Sequence, residues 1–137
     1  MDGFRFTRVQ EVTFRDLDSH GHVNNASYVT HLETARLAYL REVAGIGPAD
    51  PVWIILVDLH VRFRSPSSLW DQLEVGVRVE RIGTKSIEFA YRIEDQDGRL
   101  VLEGATVHAA FDYGRQASVP VPDSWRTAVE KFEGRPN

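Results

Sequence analysis

Asp16, Asp18, His20 and His22 stand within seven residues, and Asn24 and Asn25 follow directly. A carboxylate can act as a general base or as a nucleophile, and a neutral imidazole can orient a carbonyl or cap a loop. Beyond them the spacing predicts a helix. Tyr28, Leu32, Ala35 and Tyr39 recur as i, i+4, i+7 and i+11, and Val29, Leu40 and Val43 widen the apolar face until Thr30, Glu33, Arg36 and Arg41 form a narrow polar stripe. Such a helix calls for wrapping. Asn24 or Asn25 supplies the N-cap, and Gly45 followed by Pro48 stops the helix. The first turn then exposes orphan N–H groups and a partial positive charge beside Asp18, where an anion or a developing oxyanion is favoured. By spacing alone, the commoner role for Asp18 is to cap that helix or its preceding turn.

The neighbouring groups divide by type. Asp16 reads as a turn residue at a strand end, and His20 as a solvated side chain. His20 and His22 sit two apart on a loop without a third well-placed ligand, so no metal is expected. Glu33 and Arg36 lie one turn apart and read as an ion pair that fixes the helix in its wrap.

The elements that position these residues follow from composition and pattern. The 137 residues carry a formal charge of −4 with scattered basic side chains, which argues against nucleic-acid binding. No cysteine is present, so disulfides, thiolate metal sites and a cysteine nucleophile are excluded. No basic and apolar leader and no apolar run near ~18 residues occurs, and the expectation is a soluble cytoplasmic protein without membrane association. The size fits one domain over residues 1–137, with residues 120–137 forming a terminal turn and short helix.

Phe4, Phe6, Val9, Val12 and Phe14 mark a first strand, bulged near Thr7 and Arg8 where the alternation changes phase, that ends at residues 16–18. Residues 53–57 are an unbroken apolar run that becomes alternating through Phe63, which predicts a central strand that leaves the core and meets solvent or a partner. Leu73 to Val79, Ile87 to Ile93 and a run from about Leu100 to Tyr113 alternate, joined by turns at Gly83-Thr84 and Asp97-Gly98, and predict a meander. In the last run Val101, Ala105, Val107, Ala109 and Phe111 share a face. Trp125, Val129 and Phe132 predict a terminal helix capped by Asp123 or Ser124. One long helix against an antiparallel sheet is an α+β arrangement, and pairing edge to edge with a second copy would remove an exposed strand edge.

The run DLDSHGHVNNASYVTHLE over residues 16–33, followed by Ala35 and Arg36, resembles the opening signature of hotdog-fold thioesterases of the 4-hydroxybenzoyl-CoA thioesterase-like acyl-CoA group. Arg62-x-Arg64-x-Pro66 and Arg81-x-Gly83-x-Lys85-Ser86 are similar to its later motifs, and the likeness covers nearly the whole chain. It implies a hotdog fold, an antiparallel five- to six-stranded sheet wrapped around one long central helix, assembled as a homodimer or homotetramer with a continuous sheet. It implies hydrolysis of acyl-CoA without a cofactor, with Asp18 as the catalytic carboxylate, the Asn25 N–H as the donor that polarises the carbonyl, and His22 in the active site. Arg81, Lys85, Ser86 and Arg64 would then meet the phosphates of coenzyme A or else belong to a solvated hairpin, and Tyr28, Trp53 and Ile55 would line an acyl pocket shared across the dimer or equally be core. Where the plant relatives have an asparagine this chain has His20, and where aromatic-acyl members have bulky aromatics it has Asn24 and Asn25. A thiolate leaves with little need of protonation, so one carboxylate and one helix start suffice for the reaction. The rivals are an acyl-carrier-protein thioesterase and a non-catalytic acyl-CoA binding module; a hydratase on this fold is disfavoured because its Asp-and-His motif is not the one that stands here.

Overall fold

The computed structural model describes residues 1–135. Strand β1 (Phe6–Glu11) pairs with β3 (Gln72–Ile82) in unbroken register, so the bulge expected near Thr7 is absent. The apolar alternation falters there because Gln10 faces the helix, where it meets His31. Val9 points outward. Nor does the strand run on to Asp18. A 3₁₀ turn (Phe14–Asp16) follows, closed by the Thr13 N–H donating to Asp16 Oδ2 at 2.9 Å, and it turns Phe14 out to solvent.

Helix α1 (Asn25–Tyr39) is capped by Asn24, whose Oδ1 accepts the Ser27 N–H at 3.0 Å. Tyr28, Leu32, Ala35 and Tyr39 are all buried, as their spacing requires. The helix continues as a π turn (Leu40–Ala44) and stops at Gly45, whose φ of 70° is a left-handed conformation suited to glycine. It lies over β1 and β3 and keeps Thr30, Glu33, Thr34 and Leu37 exposed, so the sheet embraces one side of it. The expected Glu33–Arg36 ion pair does not form; Arg36 reaches down to the sheet and donates to the Tyr91 hydroxyl at 3.2 Å.

The strand order is β1, β3, then β4 (Ser86–Glu94), β5 (Leu100–Asp112) and β2 (Val52–Phe63), with a two-residue β6 (Ala117–Ser118) beside β5. β3, β4 and β5 form the expected meander, and Leu73, Val75, Val77 and Val79 face Ile87, Phe89, Tyr91 and Ile93 in the core. β2 is an edge strand rather than a central one. Its register with β5 slips between Leu56 and Asp58. That bulge explains the unbroken apolar run, because Val57 drops out of the alternation while Leu56 and Leu59 stay on the inner face. On β5 the buried inner face carries Leu102, Thr106, His108 and Ala110, and the more apolar series from Ala105 to Phe111 faces outward.

Helix α2 (Asp123–Glu133) buries Trp125 and Val129. Its N-cap position is Pro122, with no side-chain cap from Asp123 or Ser124. A clasp holds it instead: the buried Tyr39 hydroxyl donates to Glu133 Oε2 at 2.6 Å, and the Val79 N–H donates to the same oxygen at 3.2 Å. Burial, and then the Glu133 carboxylate, push the Tyr39 hydroxyl far above its ordinary pKa. Among the described residues no helix is long and apolar enough to cross a membrane.

Candidate active site

Residues 18–22 close a tight turn: the Asp18 N–H donates to the His22 carbonyl at 2.8 Å and the Gly21 N–H to the Asp18 carbonyl at 3.1 Å. Gly21 has φ 78°, which lets the chain reverse before the helix. The reversal aims two amides at one carboxylate oxygen, with Asp18 Oδ1 accepting the His20 N–H at 2.8 Å and the His22 N–H at 3.2 Å. These two bonds, His20 first, hold the Asp18 carboxyl below its usual range although the residue is exposed.

The helix start is held to the same turn. The Asp16 carbonyl accepts both the Asn24 N–H at 2.8 Å and Asn24 Nδ2 at 3.2 Å. Asp16 Oδ1 lies 3.4 Å from His31 Nε2, so Asp16 is more than a turn residue. With Ser27 capped by Asn24, the amides of Asn25 and Ala26 are left without an intrahelical acceptor. The segment after β2 closes the other side. Ser67 is fully buried, accepts the Tyr28 hydroxyl at 2.9 Å, and takes the Val23 N–H on its carbonyl at 3.0 Å. Burial raises the Tyr28 pKa, and the bond to the Ser67 hydroxyl partly offsets this.

A cleft of about 350 Å³ results, in which Asp18, His22, Asn25, Tyr28 and Arg64 come together with Phe63. Arg64 is steered there by Glu103, which accepts its Nε at 3.0 Å. The other sequence candidates stand elsewhere in the chain. β3 begins beside this cleft and ends at Ile82, so Arg81, Lys85 and Ser86 occupy the opposite end of the sheet. Arg81 there donates to Glu88 at 3.1 Å, and the Lys85 carbonyl accepts the Ala110 N–H at 2.8 Å. Trp53 and Ile55 pair with Phe111 and Ala109 and do not line this cleft, and Trp53 packs against the core instead. His31, Ser67 and Phe63 were not singled out from sequence. His31 and Gln10 carried a signal, as polar residues at inward positions whose partner had to be another element. Among the described residues no three His, Asp or Glu side chains converge as a metal site would require.

The arrangement offers a carboxylate with one oxygen tied by amides and one bare, beside uncapped amides at a helix N-terminus. It can bring a base or nucleophile and an oxyanion cradle to a single carbonyl. Residues 12–129 match the model of the thioesterase-like superfamily. The chain is 25% identical over 119 residues to the long-chain acyl-CoA thioesterase FadM of Escherichia coli (strain K12), covering 85% of this chain and 90% of that one. It is 24% identical over 134 residues to the putative acyl-CoA thioesterase YneP of Bacillus subtilis (strain 168), covering 88% and 92%. Among solved structures it is similar to a thioesterase from Thermus thermophilus complexed with coenzyme A and Zn, at 29% identity and TM-score 0.87 with all of both chains covered. The antiparallel sheet curled over a long helix is the hotdog fold of these proteins.

Proposed function

We propose, since the chain belongs to the thioesterase-like superfamily, that it hydrolyses acyl-CoA in the cytoplasm to a free acid and coenzyme A. The observation that carries this reading is Asp18 set in one cleft with the Asn25 end of α1. The bare Asp18 oxygen acts on the carbonyl carbon, directly or through a water, while the Asn25 amide receives the oxyanion and His22 orients the thioester. Coenzyme A leaves as the thiolate, so no strong acid is required. The names of FadM and of the coenzyme-A-bound Thermus enzyme support that choice of carrier.

The working unit is a homodimer, or a homotetramer made of two such dimers. Asp18, His22 and Asn25 are all exposed in one chain, and electrostatic stabilisation of an oxyanion is strong only where water is excluded. The unpaired edge of β2 carries Val57 at 63% exposure, apolar surface that a second copy would cover. Antiparallel pairing of two β2 edges sets the Phe63 end of one copy beside the Val52 end of the other, and so brings the Lys85-Ser86 end of the second sheet toward the first cleft. In that dimer Arg64 of one chain and Arg81, Lys85 and Ser86 of the other serve the phosphates. Purified protein mixed with a panel of acyl-CoAs and a thiol reagent should release free coenzyme A catalytically; saturable binding without thiol release would overturn the assignment.

A further inference from the structure

The inner face between α1 and β2 is apolar at its rim and polar at its floor. Leu56, Leu59 and Phe63 are 47%, 39% and 45% exposed on the rim. The register places Thr106 opposite Leu59 and His108 opposite Leu56. The Tyr91 hydroxyl lies 2.7 Å from Thr106 Oγ1 and also accepts Arg36 Nη1. His108 is 1% exposed, and neither of its ring nitrogens has a partner among the described residues. Arg36 is half-buried and makes no ion pair within 4.0 Å among them; Glu33, one turn back, is exposed.

The guanidinium has no carboxylate within ion-pair distance, with Glu33 near enough only for its charge to reach the Tyr91 hydroxyl, and a fully buried imidazole with two open nitrogens is an unmatched dipole. The two are linked: Arg36 donates to Tyr91, whose hydroxyl meets Thr106, two residues before His108 on the same inner face of β5. Phe63 lines the cleft with Asp18 and begins the exposed row Phe63, Leu59, Leu56 along the inner face of β2. Eleven residues separate Asn25 from Arg36, about 16 Å along the helix at ~1.5 Å per residue. An extended chain advances ~3.5 Å per three bonds, so roughly fourteen bonds span that distance.

We infer that the acyl group this protein takes carries a carboxylate at its far end, bound by Arg36 with Tyr91 and His108 beside it. This rests on the acyl-CoA reading above and narrows it to the mono-thioesters of dicarboxylic acids of medium to long chain. Arg36 supplies the charge-assisted bonds, the leucines hold the methylenes, and Asp18 works at the other end.

The test measures kcat/KM for pairs of acyl-CoAs of equal length, with and without an ω-carboxyl group. The wild type is expected to favour the ω-carboxyl member about tenfold or more, the scale of a charge-assisted bond. Arg36→Met should collapse that ratio to about one, and Arg36→Lys should restore part of it. A wild-type ratio at or below one overturns the inference, as does a parallel loss on both members of each pair in Arg36→Met. The wild-type ratio stands whether or not the variants fold. Brisk release from plain acyl-CoAs without preference sinks this inference and leaves the acyl-CoA reading intact, whereas no release from any acyl-CoA sinks both.

Discussion

Asp18 and His22 are joined twice through the backbone turn: the His22 N–H donates to the Asp18 carboxylate at 3.2 Å, and the His22 carbonyl accepts the Asp18 N–H at 2.8 Å. The acid is therefore fixed by the residue proposed to orient the substrate. Asp18→Asn keeps the shape and removes the charge, and is expected to lower kcat by about 10²–10⁴ with an unchanged circular-dichroism spectrum. Because the His20 and His22 amides depress its pKa, Asp18 stays ionised from neutrality down past the usual aspartate value of 3.8. Its contribution to stability is present above that value and fades as pH falls through the lower folded one. A kcat/KM profile with a carboxylate limb well above 3.8 would contradict the assignment.

Asn24 does two jobs with one amide group, capping Ser27 through Oδ1 and bonding the Asp16 carbonyl through Nδ2. Asn24→Ala should cost about 1 kcal/mol by urea unfolding, the usual loss for an N-cap. It should also lower kcat more than KM, because the amides that receive the oxyanion lose their register with Asp18. Asn24→Ser, which can still cap, should recover most of the stability and less of the rate.

Much of this architecture was readable in residues whose partners are local or whose pattern is pure. The buried face of α1 followed from four apolar side chains at helical spacing, and the facing rows on β3 and β4 from strict alternation. Asp18, His22, Asn25 and Tyr28 meet in one cleft because a short turn and the first helical turn hold them. What stayed hidden depends on distant partners. The inner face of β5 carries Thr106 and His108, so hydropathy favours the wrong side; Tyr91 on another strand accounts for Thr106, while the His108 ring has no hydrogen-bond partner among the described residues. The bulge at Val57 disguised an edge strand as a core one. Gln10 on β1 looked like a break in the pattern until His31 supplied its partner.

His108 makes stability depend on acid. Burial, and then the Arg36 charge, lower its pKa from 6.5 to about 3. Between those values the unfolded chain binds a proton that the native state refuses, so stability falls as pH drops through that window, by up to ~1.4 kcal/mol per pH unit. His108→Leu should flatten this slope, measured as denaturation midpoints at pH 7, 6, 5 and about 4. An unchanged slope would mean that other groups carry the acid sensitivity.

Glu133 ties α2 to the core by accepting from both Tyr39 and Val79. Glu133→Ala leaves a buried hydroxyl and a strand amide without an acceptor, and should cost about 1–3 kcal/mol. Glu133→Gln keeps an acceptor oxygen and should cost less. Thermal unfolding followed through the buried Trp125 reads the difference, and equal losses for the two variants would argue against the clasp.

The β2 edge decides whether the cleft works alone. Unpaired strand N–H and C=O groups flanked by Leu56 and Val57 favour another strand, and a charge placed there opposes it. Val57 lies at the bulge and packs against nothing essential to the single chain, so Val57→Lys should leave the melting behaviour of the monomer nearly intact. In the assembly the same ammonium would have to be buried without a partner carboxylate, a loss of several kcal/mol per interface. Sedimentation should then find the variant monomeric where the wild type is dimeric or larger. Turnover should fall with dimer content as the protein is diluted, since Asp18 and the Asn25 amide return to water. A variant that stays assembled would place the interface elsewhere, and a monomer with full activity would leave the cleft complete within one chain.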